Sequence, residues 1–258
     1  MNKKPNALIF SGYGLNCEEE TQFGFEIAGA RVDIVHINDV IDTRVKLSHY
    51  DILVFPGGFS YGDDTGSGKA YANRLNNHLG HELKTFLKRD TLMLGICNGF
   101  QILTQLGLLP GALVFNDSNR FINRWVDLEA KGESPWLTGI TKLSLPVAHA
   151  EGKFVTDRKT LTKLKKQKNV AFRYTRGDMH RYRGLPENPN GALENIAGVL
   201  GYGGRVLGMM PHPDRALFST QRPDWPLLKE KSRRSGETFP EYGPGLQIFR
   251  NGVEYFTK

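Results

Sequence analysis

One stretch, residues 91–108 with the sequence TLMLGICNGFQILTQLGL, constrains the fold of this chain more than any other. Leu92, Met93 and Leu94 form a short unbroken apolar run, as expected of a central parallel strand covered on both faces. Gly95 and Gly99 stand two residues either side of Cys97, giving G-x-C-x-G. This is the thiol form of a nucleophile elbow, a sharp strand-to-helix turn where bulky neighbours do not fit and strained backbone is cheapest for glycine. Phe100, Ile102, Leu103 and Leu106 then recur at helical spacing, which predicts a helix starting just past Cys97 with its N-terminus aimed at the sulfur. The partial positive charge at that end favours thiolate over thiol. A buried cysteine is ordinarily a small core residue. Between two glycines at such a junction, Cys97 reads as a nucleophile.

The rest of the chain supplies a sheet around this strand. Residues 7–10 form an apolar strand ending in SGYG, and residues 17–28 follow with acidic residues first and apolar ones at helical spacing. Glu18, Glu19 and Glu20 complement the helix dipole, so these carboxylates need no chemical role, and Cys17 beside them is assigned a structural one. Strands at 31–37 and 51–55 and a long helix at 69–88 continue the alternation that marks a doubly wound parallel sheet. Beyond the helix that follows Cys97, residues 121–128, 142–147 and 153–156 alternate as antiparallel strands do, residues 171–174 read as a further strand, and 196–200 pairs with 205–209 through GYGG as a hairpin. The fold class expected is therefore α/β: a doubly wound, mostly parallel sheet with helices on both faces and an added antiparallel β ribbon. A length of 258 residues suits one unit spanning 1–258.

Composition excludes several classes. With 39% hydrophobic and 24% charged residues and no apolar run of spanning length, the chain reads as a soluble globular protein, and the N-terminal MNKKPN lacks a signal-peptide core. Cytoplasmic placement is expected. Two cysteines, Cys17 and Cys97, are too few and too far apart for a disulfide scaffold or a metal site. The net charge of +7 is scattered except at 159–168 and 229–234, where aromatic interleaving is absent; solvated helix faces or a docking surface are expected there, not nucleic-acid binding.

A thiol nucleophile needs a base and an oxyanion site. Two histidines qualify by position. His149, in VAHAEG, is second choice, because a histidine at a strand end is more often a hydrogen-bonded structural group. His212 lies between Pro211 and Pro213, which fix the backbone and aim the ring, and Asp214 is near enough to hold its other nitrogen. In a doubly wound sheet the site lies beyond the carboxyl ends of the strands, where the loop PGGFSYGDD at 56–64 also falls. That loop lacks the spacing and the Lys-Ser/Thr of a phosphate cradle. It is either a plain turn or a source of backbone N–H groups for an oxyanion, together with the N–H of Asn98.

With GICNGFQ at 95–101 and PHPD at 211–214 in view, the chain resembles the class I (triad) glutamine amidotransferases. PGGFSYGDD at 56–64, NCEEET at 16–21, PVAHAEG at 146–152 and PNGALENIAGV at 189–199 resemble, more narrowly, the family of glutaminase subunits of phosphoribosylformylglycinamidine synthases. The resemblance implies that Cys97 attacks the side-chain amide of L-glutamine, that His212 moves the protons, that Gly58 and Asn98 donate to the oxyanion, and that Gln101 helps position the substrate. It implies a glutamyl thioester, and ammonia passed through a channel to a separate synthetase subunit that converts formylglycinamide ribonucleotide to formylglycinamidine ribonucleotide. It implies no cofactor in this chain, with ATP and Mg in the synthetase, and a small accessory subunit in the same complex. The isolated subunit is expected to be nearly inactive, its site completed on docking. Two positions depart from the family pattern. Asp214 stands where the triad usually has glutamate, one methylene longer, and Ala150 stands where glycine is frequent. Two other readings use the same residues: a cysteine hydrolase or peptidase of similar fold, and a catalytically silent scaffold that only docks a synthetase. Residues 230–242, rich in charge, Pro and Gly, carry no motif.

Overall fold

The computed structural model describes residues 4–63, 65–181 and 184–257; Asp64, the last residue of the glycine loop, lies outside them. In chain order the elements are β1 (Asn6–Ser11), α1 (Glu18–Ala28), β2 (Arg31–His36), α2 (Ile37–Ile41), β3 (Ile52–Phe55), α3 (Lys69–Lys88), β4 (Leu92–Ile96), α4 (Asn98–Gln105), β5 (Ala112–Val114), β6 (Ile122–Ala130), β7 (Lys142–His149) and β8 (Lys153–Val155). They continue as α5 (Arg158–Lys166), β9 (Val170–Thr175), α6 (Asp178–Arg181), β10 (Ile196–Gly201), β11 (Val206–Met209), α7 (Trp225–Ser235) and α8 (Leu246–Glu254).

Nine strands form one sheet in the order β2-β1-β3-β4-β11-β10-β9-β6-β7. The first five are mutually parallel and the rest antiparallel, with β11 belonging to both halves. The short β5 and β8 pair antiparallel as a separate ribbon; an added ribbon and the strand at β8 are expected from the sequence, while β5 is not. Strands β3, β4 and β11 are buried at every residue, which explains why they read as unbroken apolar runs. From β1 the chain winds outward to β2 and then returns across β1 to β3 and β4. Right-handed crossovers on either side of that reversal place α1 and α3 on opposite faces. On one face α1 packs on α8, with Phe25 edge-on to Phe249 at 4.9 Å. Helices α3 and α4 pack against each other, and Phe10 of β1 stacks on Phe55 of β3 at 4.6 Å.

The basic runs sit on helices. In α5, Lys163, Lys165 and Lys166 occupy the last turn, where cations complement the dipole, and Lys165 pairs with Glu194 at 3.0 Å. At the end of α7, Arg233 and Arg234 both pair with Glu230. Residues 230–242 therefore hold the end of a helix that closes at Gly236 in the left-handed conformation, followed by the approach to α8. No helix among the described residues is long and apolar enough to cross a membrane. The fold's consequence for chemistry is positional: the carboxyl ends of β1, β3, β4 and β11 lie side by side, and each feeds a loop carrying one of the motifs singled out above.

Candidate active site

Cys97 follows β4 directly and has φ 50° and ψ −105°, outside the ordinary regions for a non-glycine residue. Such a conformation costs of order 1–3 kcal/mol and persists only where packing enforces it. The enforcement is visible in the two flanking glycines. A Cβ on Gly99 would lie 1.8 Å from the carbonyl oxygen of Phe55, and one on Gly95 would lie 2.6 Å from Leu103 Cδ1. The Cys97 N–H donates to Met209 O at 2.8 Å, which fixes the elbow to the end of β11. Helix α4 begins at Asn98, so its unsatisfied N–H groups and positive end face the turn that carries the sulfur. Cys97 is 5% exposed, and its Sγ lies 3.7 Å from Ala148 O.

Strand β11 pairs with β4 in register Met209↔Ile96, so the PHPD segment emerges beside the elbow. The His212 N–H donates to Pro146 O at 2.8 Å, and ring Nδ1 lies 3.3 Å from the Asp214 carboxylate. The shorter aspartate thus reaches the imidazole, though at the long end of hydrogen-bond distance. Both residues are 1% exposed, and His212 Nε2 has no hydrogen-bond partner among the described residues. Burial alone would push His212 down, but the Asp214 carboxylate, the charge on Cys97 and the neighbouring Cys17 thiol outweigh it and hold the imidazole well above its ordinary value. Since a charge-assisted hydrogen bond is worth about 1.5–3 kcal/mol, Asp214→Ala should cost about ten- to a hundredfold in kcat. Asp214→Glu should keep wild-type activity, and equal glutaminase rates for all three proteins would remove Asp214 from the reaction.

Gly58 lies across the site with φ +154°, where a Cβ would meet Leu15 Cα at 2.6 Å. It forms an antiparallel bridge with Leu15 whose hydrogen bonds run from Asn16 N–H to Gly57 O and from Phe59 N–H to Gly14 O. Gly58 is therefore the non-hydrogen-bonded member, and the bridge does not use its N–H. The Asn98 side chain is spent on structure: Oδ1 accepts from the Ser60 N–H at 3.1 Å and Nδ2 donates to Gln101 Oε1 at 2.7 Å. Gln101 in turn donates to Glu151 O at 2.6 Å. In this conformation Gln101 holds the turn that follows β7 against the elbow, and its amide is engaged at both ends.

His149 is 2% exposed and boxed in by asparagines, with Nδ1 3.1 Å from Asn116 Oδ1 and Nε2 3.5 Å from Asn190 Nδ2. Burial, followed by the charge of His212, lowers its pKa to about 3, so it is a neutral structural ring. Unfolded, this imidazole takes its proton near 6.5, and folded only near 3. The unfolded chain therefore binds the extra proton between those values, and stability falls as pH drops through that window, by at most about 5 kcal/mol. His212, shifted the other way, stabilises at low pH and loses that contribution as pH rises through its raised value. The two effects separate by comparing wild type with His149→Asn in denaturant unfolding. Their difference in unfolding free energy should shrink between pH 7 and pH 4, and a constant difference would show that His149 does not titrate as described.

The sequence assigns Cys17 a structural role and does not place it beside His212. Its Sγ, a ring nitrogen of His212 and a carboxylate oxygen of Asp214 lie within 4.8 Å of one another. No local pattern places it there, because the contact arises only from β1 lying next to β3 and two strands from β11's neighbour β4. Asn116 and Arg215 were also unmarked.

The Cys97 elbow after β4 and the His212–Asp214 pair after β11 thus stand at the carboxyl ends of adjacent strands of a doubly wound sheet, the fold class of the triad amidotransferases. Residues 4–256 match the model of the CobB/CobQ-like glutamine amidotransferase domain, and the chain belongs to that family. Within it, the chain is similar over 98% of its length, and of theirs, to phosphoribosylformylglycinamidine synthase subunit PurQ of Methanococcus maripaludis, at 47% identity, and of Dehalococcoides mccartyi, at 39%. Among solved structures it resembles a chain of PurLQS from Thermotoga maritima with a TM-score of 0.75 and 31% identity, covering 98% of this chain and 99% of that one.

Proposed function

We propose that residues 1–258 act as one glutaminase unit, in the cytoplasm, that supplies ammonia to a synthetase subunit in purine biosynthesis. The observation that carries this reading is the strained Cys97 elbow on β4 with the buried His212–Asp214 pair delivered by the adjacent β11.

The Cys97 sulfur attacks the side-chain carbonyl carbon of glutamine, and the N–H groups of Gly58 and Asn98 receive the oxyanion. The His212 imidazolium protonates the departing nitrogen, ammonia leaves, and a glutamyl thioester remains on Cys97. Water then adds to the thioester, His212 takes its proton, and glutamate departs as the sulfur is restored. The ammonia passes through a channel to the synthetase, where ATP with Mg activates formylglycinamide ribonucleotide; a small accessory subunit belongs to the same assembly. This chain requires no cofactor for its half of the reaction. Gln101 shapes the glutamine site through its grip on Glu151.

Burial favours activation by docking over a silent scaffold. Cys97, Gln101, His212 and Asp214 are all at most 5% exposed. Glutamine reaches the sulfur only when the segments around it part, which a partner's surface can drive. The test is co-purification with the synthetase subunit, followed by glutamate release from glutamine with and without ATP and ribonucleotide substrate. Release that rises on complex formation is expected. A complex that releases no glutamate would leave only the scaffold.

A further inference from the structure

Cys17 is fully buried at the start of α1, and the reaction above gives it no task. It is nevertheless tied into the site on every side. Its N–H and that of Asn16 both donate to Gly57 O, at 3.2 and 3.1 Å, and its C=O accepts from Thr21 Oγ1 at 2.6 Å. Arg215 Nη2 donates to the sulfur at 3.0 Å, while Arg215 Nε lies 3.8 Å from Glu20. Gly57 measures how closely the ring and the thiol approach: a Cβ there would lie 2.6 Å from His212 Cε1 and 3.0 Å from Cys17 Sγ. The imidazole is thus enclosed by the Asp214 carboxylate, the Gly57 backbone and the Cys17 sulfur. The carboxylate contact, at 3.3 Å, is too long to fix the ring plane alone.

We propose that Cys17 is a positioning residue for the glutaminase reaction, its sulfur wedging the His212 ring between Asp214 and the Gly57–Gly58 loop in the orientation that serves Cys97. The same residue holds that loop through its backbone, so one position sets the spacing between base and oxyanion donors. Burial raises the Cys17 thiol's pKa, outweighing the pull of His212 and Arg215, so the sulfur fills space without adding an anion that would compete with Cys97 for the imidazolium. The inference rests on the glutaminase reading given above.

The groups facing His212 are Asp214 on its own segment, Cys97 at the end of β4, Cys17 at the start of α1 and His149 at the end of β7. Of these Cys17 supports the protonated ring, so its removal lowers the value at which His212 gives up its proton. The experiment is steady-state glutamine hydrolysis by the complex with its synthetase, comparing wild type, Cys17→Ala, Cys17→Ser and Cys97→Ala across pH. Cys17→Ala should lose about tenfold in kcat, the scale of a misplaced catalytic group. Its KM for glutamine should be unchanged and the alkaline limb of its profile should move to lower pH. Cys17→Ser, which keeps a hydrogen-bonding atom of similar reach, should recover part of both. An unchanged kcat and pH profile in Cys17→Ala overturns the proposal. So does an equal loss in both Cys17 variants that follows their thermal stability with no movement of the profile. Failure of the underlying reading looks different: wild type that hydrolyses no glutamine, or Cys97→Ala as active as wild type.

Discussion

Cys97→Ala should reduce glutamine-dependent synthesis by the complex by at least about a thousandfold, as loss of a covalent nucleophile does, while synthesis from added ammonia continues at the wild-type rate. The substitution separates chemistry from architecture. Alanine meets the same backbone demand as cysteine at φ 50°, and the residue sits in the elbow through its N–H to Met209 O, which the substitution keeps. Only the sulfur is lost. The measurement is product formation with glutamine and with an ammonium salt as nitrogen donors, on complexes shown to be of equal size. Loss of both activities would mean that position 97 is needed for folding or docking, and retention of both would remove the thioester.

Gly99→Ala should be severely damaging. A Cβ at that position would sit 1.8 Å from Phe55 O and 2.6 Å from Phe55 C, both backbone atoms of a fully buried strand that cannot move aside without breaking β3 from β4. We expect a loss of more than about 4 kcal/mol, the range reached by severe core disruption, and recovery mainly as aggregate. Gly107→Ala is the matched control. Gly107 has φ +68° but nothing within 4 Å of an added Cβ, so it carries only the left-handed penalty of about 1–2 kcal/mol. Thermal unfolding of the two variants decides the matter: equal melting temperatures would show that strand and helix do not press together at the elbow as described.

These two substitutions also mark what was readable in advance. The G-x-C-x-G spacing requires close packing of strand on helix whatever the rest of the chain does, and the structure supplies the atom that Gly99 avoids. The PHPD segment announced an aimed histidine for a similar reason, since two prolines restrict the backbone locally. His149 shows the opposite case. Its sequence surroundings resemble those of a candidate base, and only the packing of Asn116 and Asn190, contributed by distant loops, shows a ring too buried to hold a proton. The side chains of Asn98 and Gln101 likewise sit where the motif puts them, yet their partners are Ser60 and Glu151. The Asp214 departure could be weighed only with coordinates, because one methylene is smaller than the freedom of a loop.

What residue order determined by itself was local: the elbow, the aimed imidazole, the alternation that yields a parallel half and an antiparallel half, and the acidic first turn of α1. These follow from φ/ψ limits, side-chain periodicity and helix dipoles, which act over a few neighbours. Tertiary structure alone decided which strand ends meet, and so brought Cys17 against His212 although 195 positions separate them (212 − 17). Strand order is set by crossover handedness and by the burial of whole faces, and no short window of sequence contains that sum.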